Sequence, residues 1–309
     1  MSGRILTLTM NPTVDITDDA EMVRAIRKTR TRNERFDAGG GGVNVSRVVH
    51  ELGGETLAIL LTGGVAGALL QSLLGEAGVP CRSLPIRGST RMAHTVHDLS
   101  SRSEYRFVPE GPVLDEAEWQ AALTALETEA GDWVVASGSL PRGVPEDFYL
   151  RCADLAARQG RHFVLDTSGP PLKAALGHKL ALIKPSRGEF EAMIGRPLNT
   201  PKALGEAALG LVRDGGAGLV AVSMGHQGAL LAEPGGLLRL PALDVPALGA
   251  VGAGDSFLGA MVLALGRGET PREAFAWGMA TGAAAVMRPG TARPRREDVE
   301  GLRRQIGAV

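Results

Sequence analysis

The chain has 309 residues, 44% of them hydrophobic and 22% charged, with a formal net charge of −1. That length suits one large α/β domain or two smaller ones, and the near-neutral balance argues against a dedicated nucleic-acid or membrane surface. No apolar run reaches the roughly 20 residues of a transmembrane helix, and Cys81 and Cys152 stand in no metal or redox spacing, so free thiols in a cytoplasmic setting are expected.

In chain order, Ile5 to Thr9 reads as a strand that begins without an apolar leader segment. It ends in Met10-Asn-Pro-Thr-Val-Asp15. In a parallel sheet ligands meet the loops at the carboxyl ends of strands. Asp15 is therefore either a substrate-hydroxyl ligand or a solvated turn acid. A basic stretch follows, with Arg24, Arg27, Lys28, Arg30, Arg32 and Arg35. From residue 28 to 36 its polar residues alternate with no apolar face, which predicts an exposed strand. It is a solvated surface or a flap carrying cations toward an anionic ligand or a second subunit. Four consecutive glycines, Gly39, Gly40, Gly41 and Gly42, have no packing value of their own and suit a ligand touching backbone. Asn44 is expected to open the next helix.

Leu57 to Leu61, a helix over 63–75 and a strand after Val79 predict a β-α-β unit. Residues 91–99 and 104–108 predict a hairpin, adding Arg91, Arg102 and Arg106. His94 and His97 fall on opposite strand faces and form no metal pair. An amphipathic helix over 115–131 precedes four buried strands. These end in Ser137-Gly-Ser139, in Asp166, in Lys184-Pro-Ser186-Arg-Gly-Glu189, and in Ser223-Met-Gly-His-Gln-Gly228. Strands alternating with helices predict a mostly parallel sheet covered on both faces. The two basic strand regions interrupt the alternation and predict a second, small sheet.

Near the C-terminus comes Ala250-Val-Gly-Ala-Gly-Asp-Ser256, then an apolar run at helical spacing. Gly252, Ala253 and Gly254 offer bare amides at a helix start, which is an anion site. Asp255 beside it is either a cap bonded to its own backbone or a proton acceptor in phosphoryl transfer. Neither glycine loop completes the Walker or dinucleotide pattern.

The stretch from Gly39 to Arg47, taken with Ala250 to Gly259, resembles the two signatures of the ribokinase-like (pfkB-type) carbohydrate kinases, and the likeness extends along essentially the whole chain. Within that family the chain is similar to enzymes acting on phosphorylated ketohexoses. The resemblance implies a three-layer α/β/α domain spanning 1–309, with lid strands from about 11–36 and 88–109 and a homodimer formed through the lid. It implies ATP-dependent phosphorylation of fructose 6-phosphate. Fructose 1-phosphate and tagatose 6-phosphate are the near alternatives, and a silent sugar or nucleotide sensor is the distant one.

Asp255 would be the general base, and the amides of Gly252, Ala253 and Gly254 would hold the transferring group. Asp15, Gly39, Gly40, Gly41, Gly42, Asn44 and Ser139 would surround the sugar, with Arg91 on its phosphate. Arg30 would join the substrate, and Lys28 the nucleotide side, across subunits. Lys184, Ser186, Ser223, Met224, Gly225, His226, Gln227 and Gly228 would line ATP, with Glu189 serving Mg2+. Potassium would lie among backbone carbonyls of Gly249, Val251, Ala285, Arg288, Gly290 and Ala292. The chain departs from the family pattern at Ser186, where Asn is usual, and at Ala250, where Thr is common.

Overall fold

The computed structural model describes residues 3–249, 251–288 and 293–309. Its main sheet grows from β1 (Ile5–Thr9), whose alternating side chains enter different cores. Leu6 and Leu8 join one apolar cluster and Ile5 another, on the opposite face of the sheet. Two longer strands follow, β2 (Thr13–Ala20) and β3 (Thr31–Gly39), and helix α1 (Gly41–Glu51) comes directly after. Next are β4 (Thr56–Thr62), α2 (Gly64–Glu76) and β5 (Cys81–Pro85), then β6 (Arg91–Asp98) and β7 (Ser103–Phe107). The chain continues with α3 (Glu116–Thr128), β8 (Trp133–Ser137), α4 (Phe148–Arg158), β9 (His162–Asp166), α5 (Pro170–Ala175), β10 (Leu180–Ile183), α6 (Arg187–Ile194) and α7 (Pro201–Arg213). It closes with β11 (Leu219–Ser223), β12 (Ala229–Glu233), β13 (Gly236–Leu240), α8 (Ala253–Gly266), α9 (Pro271–Val286) and α10 (Arg296–Ile306).

The main sheet runs β13-β12-β11-β10-β9-β8-β1-β4-β5. It is parallel from β11 to β5, and β12 pairs antiparallel with both its neighbours. Strands rich in β-branched and aliphatic residues, buried on both faces, need helices above and below. Helices α3, α4, α5, α6 and α7 cover one face around Trp119, Phe148 and Phe163. Helices α1, α8, α9 and α10 cover the other around Val48, Phe257 and Phe275. The result is the three-layer α/β/α arrangement expected from the alternation. The hairpin β12–β13, divided by Pro234 and Gly235, had no counterpart in the sequence reading.

From β1 the chain moves outward through β4 and β5, returns, and fills the other side from β8 onward. This reversal between β1 and β8 opens a crevice at the carboxyl ends of the strands. A second sheet, β3-β2-β6-β7, stands beside that end. It carries exposed apolar side chains at Phe36, Met92, Tyr105 and Phe107. No helix among the described residues is long and apolar enough to cross a membrane.

Candidate active site

Three glycines of the four-glycine run are demanded by the protein's own packing, which corrects the view that they serve only a ligand. A Cβ on Gly39 would collide with the Asp15 carboxylate, and one on Gly41 with the Ser137 hydroxyl. On Gly42 it would lie 2.7 Å from the Leu8 carbonyl oxygen. Gly40 takes φ +108°, a conformation that side chains disfavour, and is the N-cap of α1. The helix therefore starts inside the glycines. Asn44 lies in its first turns, where its N–H donates to the Gly40 carbonyl at 2.9 Å. Gly42→Ala meets backbone that cannot rotate away, so it should destabilise the fold by about 1–3 kcal/mol. Gly210→Ala in α7 meets nothing within 4 Å, and should raise stability by up to about 1 kcal/mol. Urea unfolding of both variants checks the contrast.

Helix α8 starts behind Gly252, which is left-handed at φ 75°, and no side chain caps it. Asp255 is the third helical residue, and it is not the self-bonded cap that the sequence allowed. Its Oδ2 accepts from Asn44 Nδ2 at 2.9 Å, so the two glycine stretches, 211 residues apart, meet at this bond. Burial raises the Asp255 carboxyl to about 7, and Asp166 adds to the rise. The Asn44 bond and the Lys184 charge oppose it, while Asp15 contributes a smaller rise. At the end of β10, Lys184 lies 3.4 Å from Asp166 Oδ2 and is only 5% exposed. Burial disfavours its ammonium, yet Asp166 and Asp255 outweigh that, so the group stays charged. Burial likewise raises the Asp166 carboxyl, against the pull of Lys184. Ser137 at the end of β8 donates to the same carboxylate at 3.4 Å. The helix start thus presents amides that no side chain caps among the described residues, beside a carboxyl held near neutrality and a buried cation.

Asp15 lies within β2 and not in a solvated turn. Burial and then Asp37, its register partner on β3, raise its carboxyl to about 6 against Arg106, Arg47 and a Thr13 hydrogen bond. Arg91 opens β6 and donates to the carbonyls of Asn11 and Pro109 at 2.9 and 3.0 Å. Its Nε is buried with no hydrogen-bond partner among the described residues. Ser139 receives Asn11 Nδ2 at 3.4 Å. Lys28 and Arg30 are exposed in the connection between β2 and β3, and among the described residues no hydrogen bond or ion pair ties them to this centre.

A cavity of about 660 Å³ runs from Ser223, Gly225, His226 and Gly228 to Ala253 and Gly254 at the start of α8. Met224 and Gln227 line a smaller recess beside Arg187. Ser186 and Glu189 close a reciprocal cap on α6: Glu189 Oε2 accepts from the Ser186 N–H at 2.7 Å and from its hydroxyl at 2.8 Å. The N–H groups of Leu248 and Gly249 donate to the Val286 carbonyl at 2.7 and 3.3 Å, and Arg288 N–H to Ala285 at 3.0 Å. That ties the segment leading to Val251 and α8 onto the carbonyl end of α9, where cations are favoured. Ala250, Gly290 and Ala292 lie outside the described residues. The sequence reading gave no role to Asp166, Arg47 or Ser137, although Asp166 and Ser137 each end a predicted strand on the ligand side.

The family profile described as pfkB family carbohydrate kinase matches residues 8–298. The ATP-dependent 6-phosphofructokinase isozyme 2 of Mycobacterium tuberculosis is 44% identical over 299 residues, covering 96% of this chain and 88% of its own length. Phosphofructokinase-2 from Escherichia coli in complex with potassium superposes with a TM-score of 0.95 at 35% identity, over 99% of this chain and all of its own. The same Escherichia coli protein in complex with fructose-6-phosphate superposes at 0.93 and 34%, with the same coverage.

Proposed function

Because this chain belongs to the pfkB family of carbohydrate kinases, we propose that it transfers the terminal phosphoryl group of ATP to the 1-hydroxyl of fructose 6-phosphate. It is a sugar-phosphate kinase with the ribokinase-like fold. The observation that carries the reading is the 2.9 Å bond between Asn44 and Asp255 beneath the uncapped start of α8. A carboxyl held near 7 beside a bare anion site suits one step: taking the proton of an alcohol as that alcohol attacks phosphorus. The amides of Gly252, Ala253 and Gly254 face the charge of the moving group. Asp15, Asn44 and the Gly39–Gly42 turn, with Ser139, enclose the sugar. Arg91 answers its phosphate, because charge-assisted bonds to phosphate are stronger than those to the carbonyls it now touches.

The cavity beyond Gly254 takes the nucleotide, with Ser223 to Gly228 along its edge and Lys184 toward the phosphates. Glu189, whose charge reaches Asp166 and Lys184, suits a Mg2+ ion. Among the described residues no three metal-type side chains converge, so the ion would draw most of its shell from phosphate oxygens and water, as Mg2+ commonly does. When bound, Mg2+ neutralises the phosphates. Potassium, found with the Escherichia coli protein, suits the carbonyl end of α9 near Gly249 and Val251. The exposed apolar face of the small sheet suits a second copy, which makes the sheet a lid that is also a dimer contact. Lys28 and Arg30 would then reach the neighbouring site. We place the enzyme in the cytoplasm, as one domain over 1–309.

The deciding experiment is a coupled assay with Mg-ATP and potassium over fructose 6-phosphate, fructose 1-phosphate, tagatose 6-phosphate, fructose and a nucleoside. Fructose 6-phosphate should give the highest kcat/KM. Preference for another phosphosugar would reassign the substrate, and no turnover on any of them would favour a sensor.

A further inference from the structure

We propose that Arg47 is a positioning residue for phosphoryl transfer: it fixes which end of the Asn44 amide faces Asp255 and so ties the proton acceptor to strand β3. The inference rests on the reading of Asp255 as the base. Arg47 is buried in α1, 6% exposed. One terminal nitrogen donates to the Ala38 carbonyl at 2.8 Å and to Asn44 Oδ1 at 3.3 Å. The other donates to Asp37 Oδ1 at 3.2 Å.

A guanidinium has only donors. Just the oxygen end of the Asn44 amide can face it, which leaves Nδ2 for Asp255. Rotating that amide by half a turn would set oxygen against the Asp255 carboxylate, and only a protonated carboxyl tolerates that contact. Arg47 therefore biases Asp255 toward the proton-accepting form without touching it. Because Asp37 and Ala38 both belong to β3, the series Asp37, Arg47, Asn44, Asp255 links the small sheet to the centre of the crevice. The fork spreads its donors over two nitrogens, one on Ala38 and Asn44 and one on Asp37, whereas a lysine holds its three donors on a single nitrogen and does not span both places from the same backbone position. Asp255 is also faced by Asp166, Lys184 and Asp15, and Arg47 by Asp37, Asp15 and Arg293. None of those groups discriminates between the two ends of the Asn44 amide as Arg47 does.

The test compares single-turnover rate against pH for wild type, Arg47→Met and Arg47→Lys, together with thermal melts and ATP affinity. In both variants the acid limb should move up by about half to one pH unit, lowering the rate about three- to tenfold below neutrality. ATP affinity should stay within about twofold, since Arg47 sits on the sugar side. Arg47→Lys should melt close to wild type, because it keeps a cation against Asp37, and still show the shifted limb. A role limited to holding α1 on β3 would lower the melt and leave the limb in place. An unmoved limb in either folded variant overturns the inference, and so does failure of both to fold, which would make Arg47 a fold determinant only. If Asp255→Asn drops to background while the limb stays put, only this inference falls. If Asp255→Asn keeps its activity, the base assignment falls instead.

Discussion

Asp255→Asn is expected to lower kcat by about a thousandfold or more, within the range that positioned general bases contribute, while the dissociation constant for ATP stays within a few-fold of wild type. Asparagine preserves the shape and can still meet the Asn44 side chain, but it cannot accept a proton from the sugar. The wild-type rate should climb with pH through about 7, where the Asp255 carboxyl ionises, and the variant should lack that limb. Stability should move the opposite way. The folded carboxyl titrates near 7 and the unfolded one near 3.8. Folding therefore takes up a proton between those values, and stability falls as pH rises from about 4 to about 7. Above that window the ionised, buried acid costs the fold, and asparagine does not. The variant should melt higher than wild type at pH 8 and differ less at pH 4.5. A turnover loss of only a few-fold would remove Asp255 from the chemistry.

Lys184→Met should be the next most damaging change, for a reason that separates folding from turnover. Removing the cation leaves Asp166 buried beside Asp255 with no opposite charge, 3.4 Å from where the ammonium stood. Breaking a buried pair on one side costs about 3–5 kcal/mol, less whatever Asp166 recovers by taking a proton. Lys184 also holds the Asp255 carboxyl down, so its loss should push the acid limb of the rate higher. Activity at neutral pH should fall about a hundredfold, within what a preorganised charge near the transferring group supplies. Pairing it with Asp166→Asn should restore most of the unfolding free energy measured in urea and little of the rate. A double variant with near-normal turnover would reduce Lys184 to a structural partner of Asp166.

The main sheet was legible because its strands are short apolar runs set between helical patterns, and burial on two faces leaves that signature. Strand β2 was expected only through the resemblance, since by pattern Thr13-Val-Asp-Ile-Thr-Asp-Asp-Ala20 carries three acids and looks like a loop until β3 and β6 flank it. The hairpin β12–β13 left a readable trace, two apolar runs around Pro234 and Gly235. The family resemblance put Asn44 and Asp255 in one site, but their hydrogen bond was not anticipated, since nothing local to either residue fixes a contact across 211 positions. The ion pair of Lys184 with Asp166 depends on β9 and β10 being neighbours, which no single stretch encodes. The glycine run drew attention correctly and was explained incompletely, because its crowding by Asp15, Ser137 and Leu8 exists only once distant strands are assembled.

Strand β3 ends at Gly39 and helix α1 starts at Gly41, leaving Gly40 as the sole joint between them. A displacement of β3 would therefore bear directly on the glycine turn from which α1 and Asn44 start. Exchanging the small sheet for a foreign one would have to carry residues 10 to 47 together with β6 and β7, which pair along β2, and an insertion at Gly40 should loosen Asn44 from the sheet even where the chain still folds.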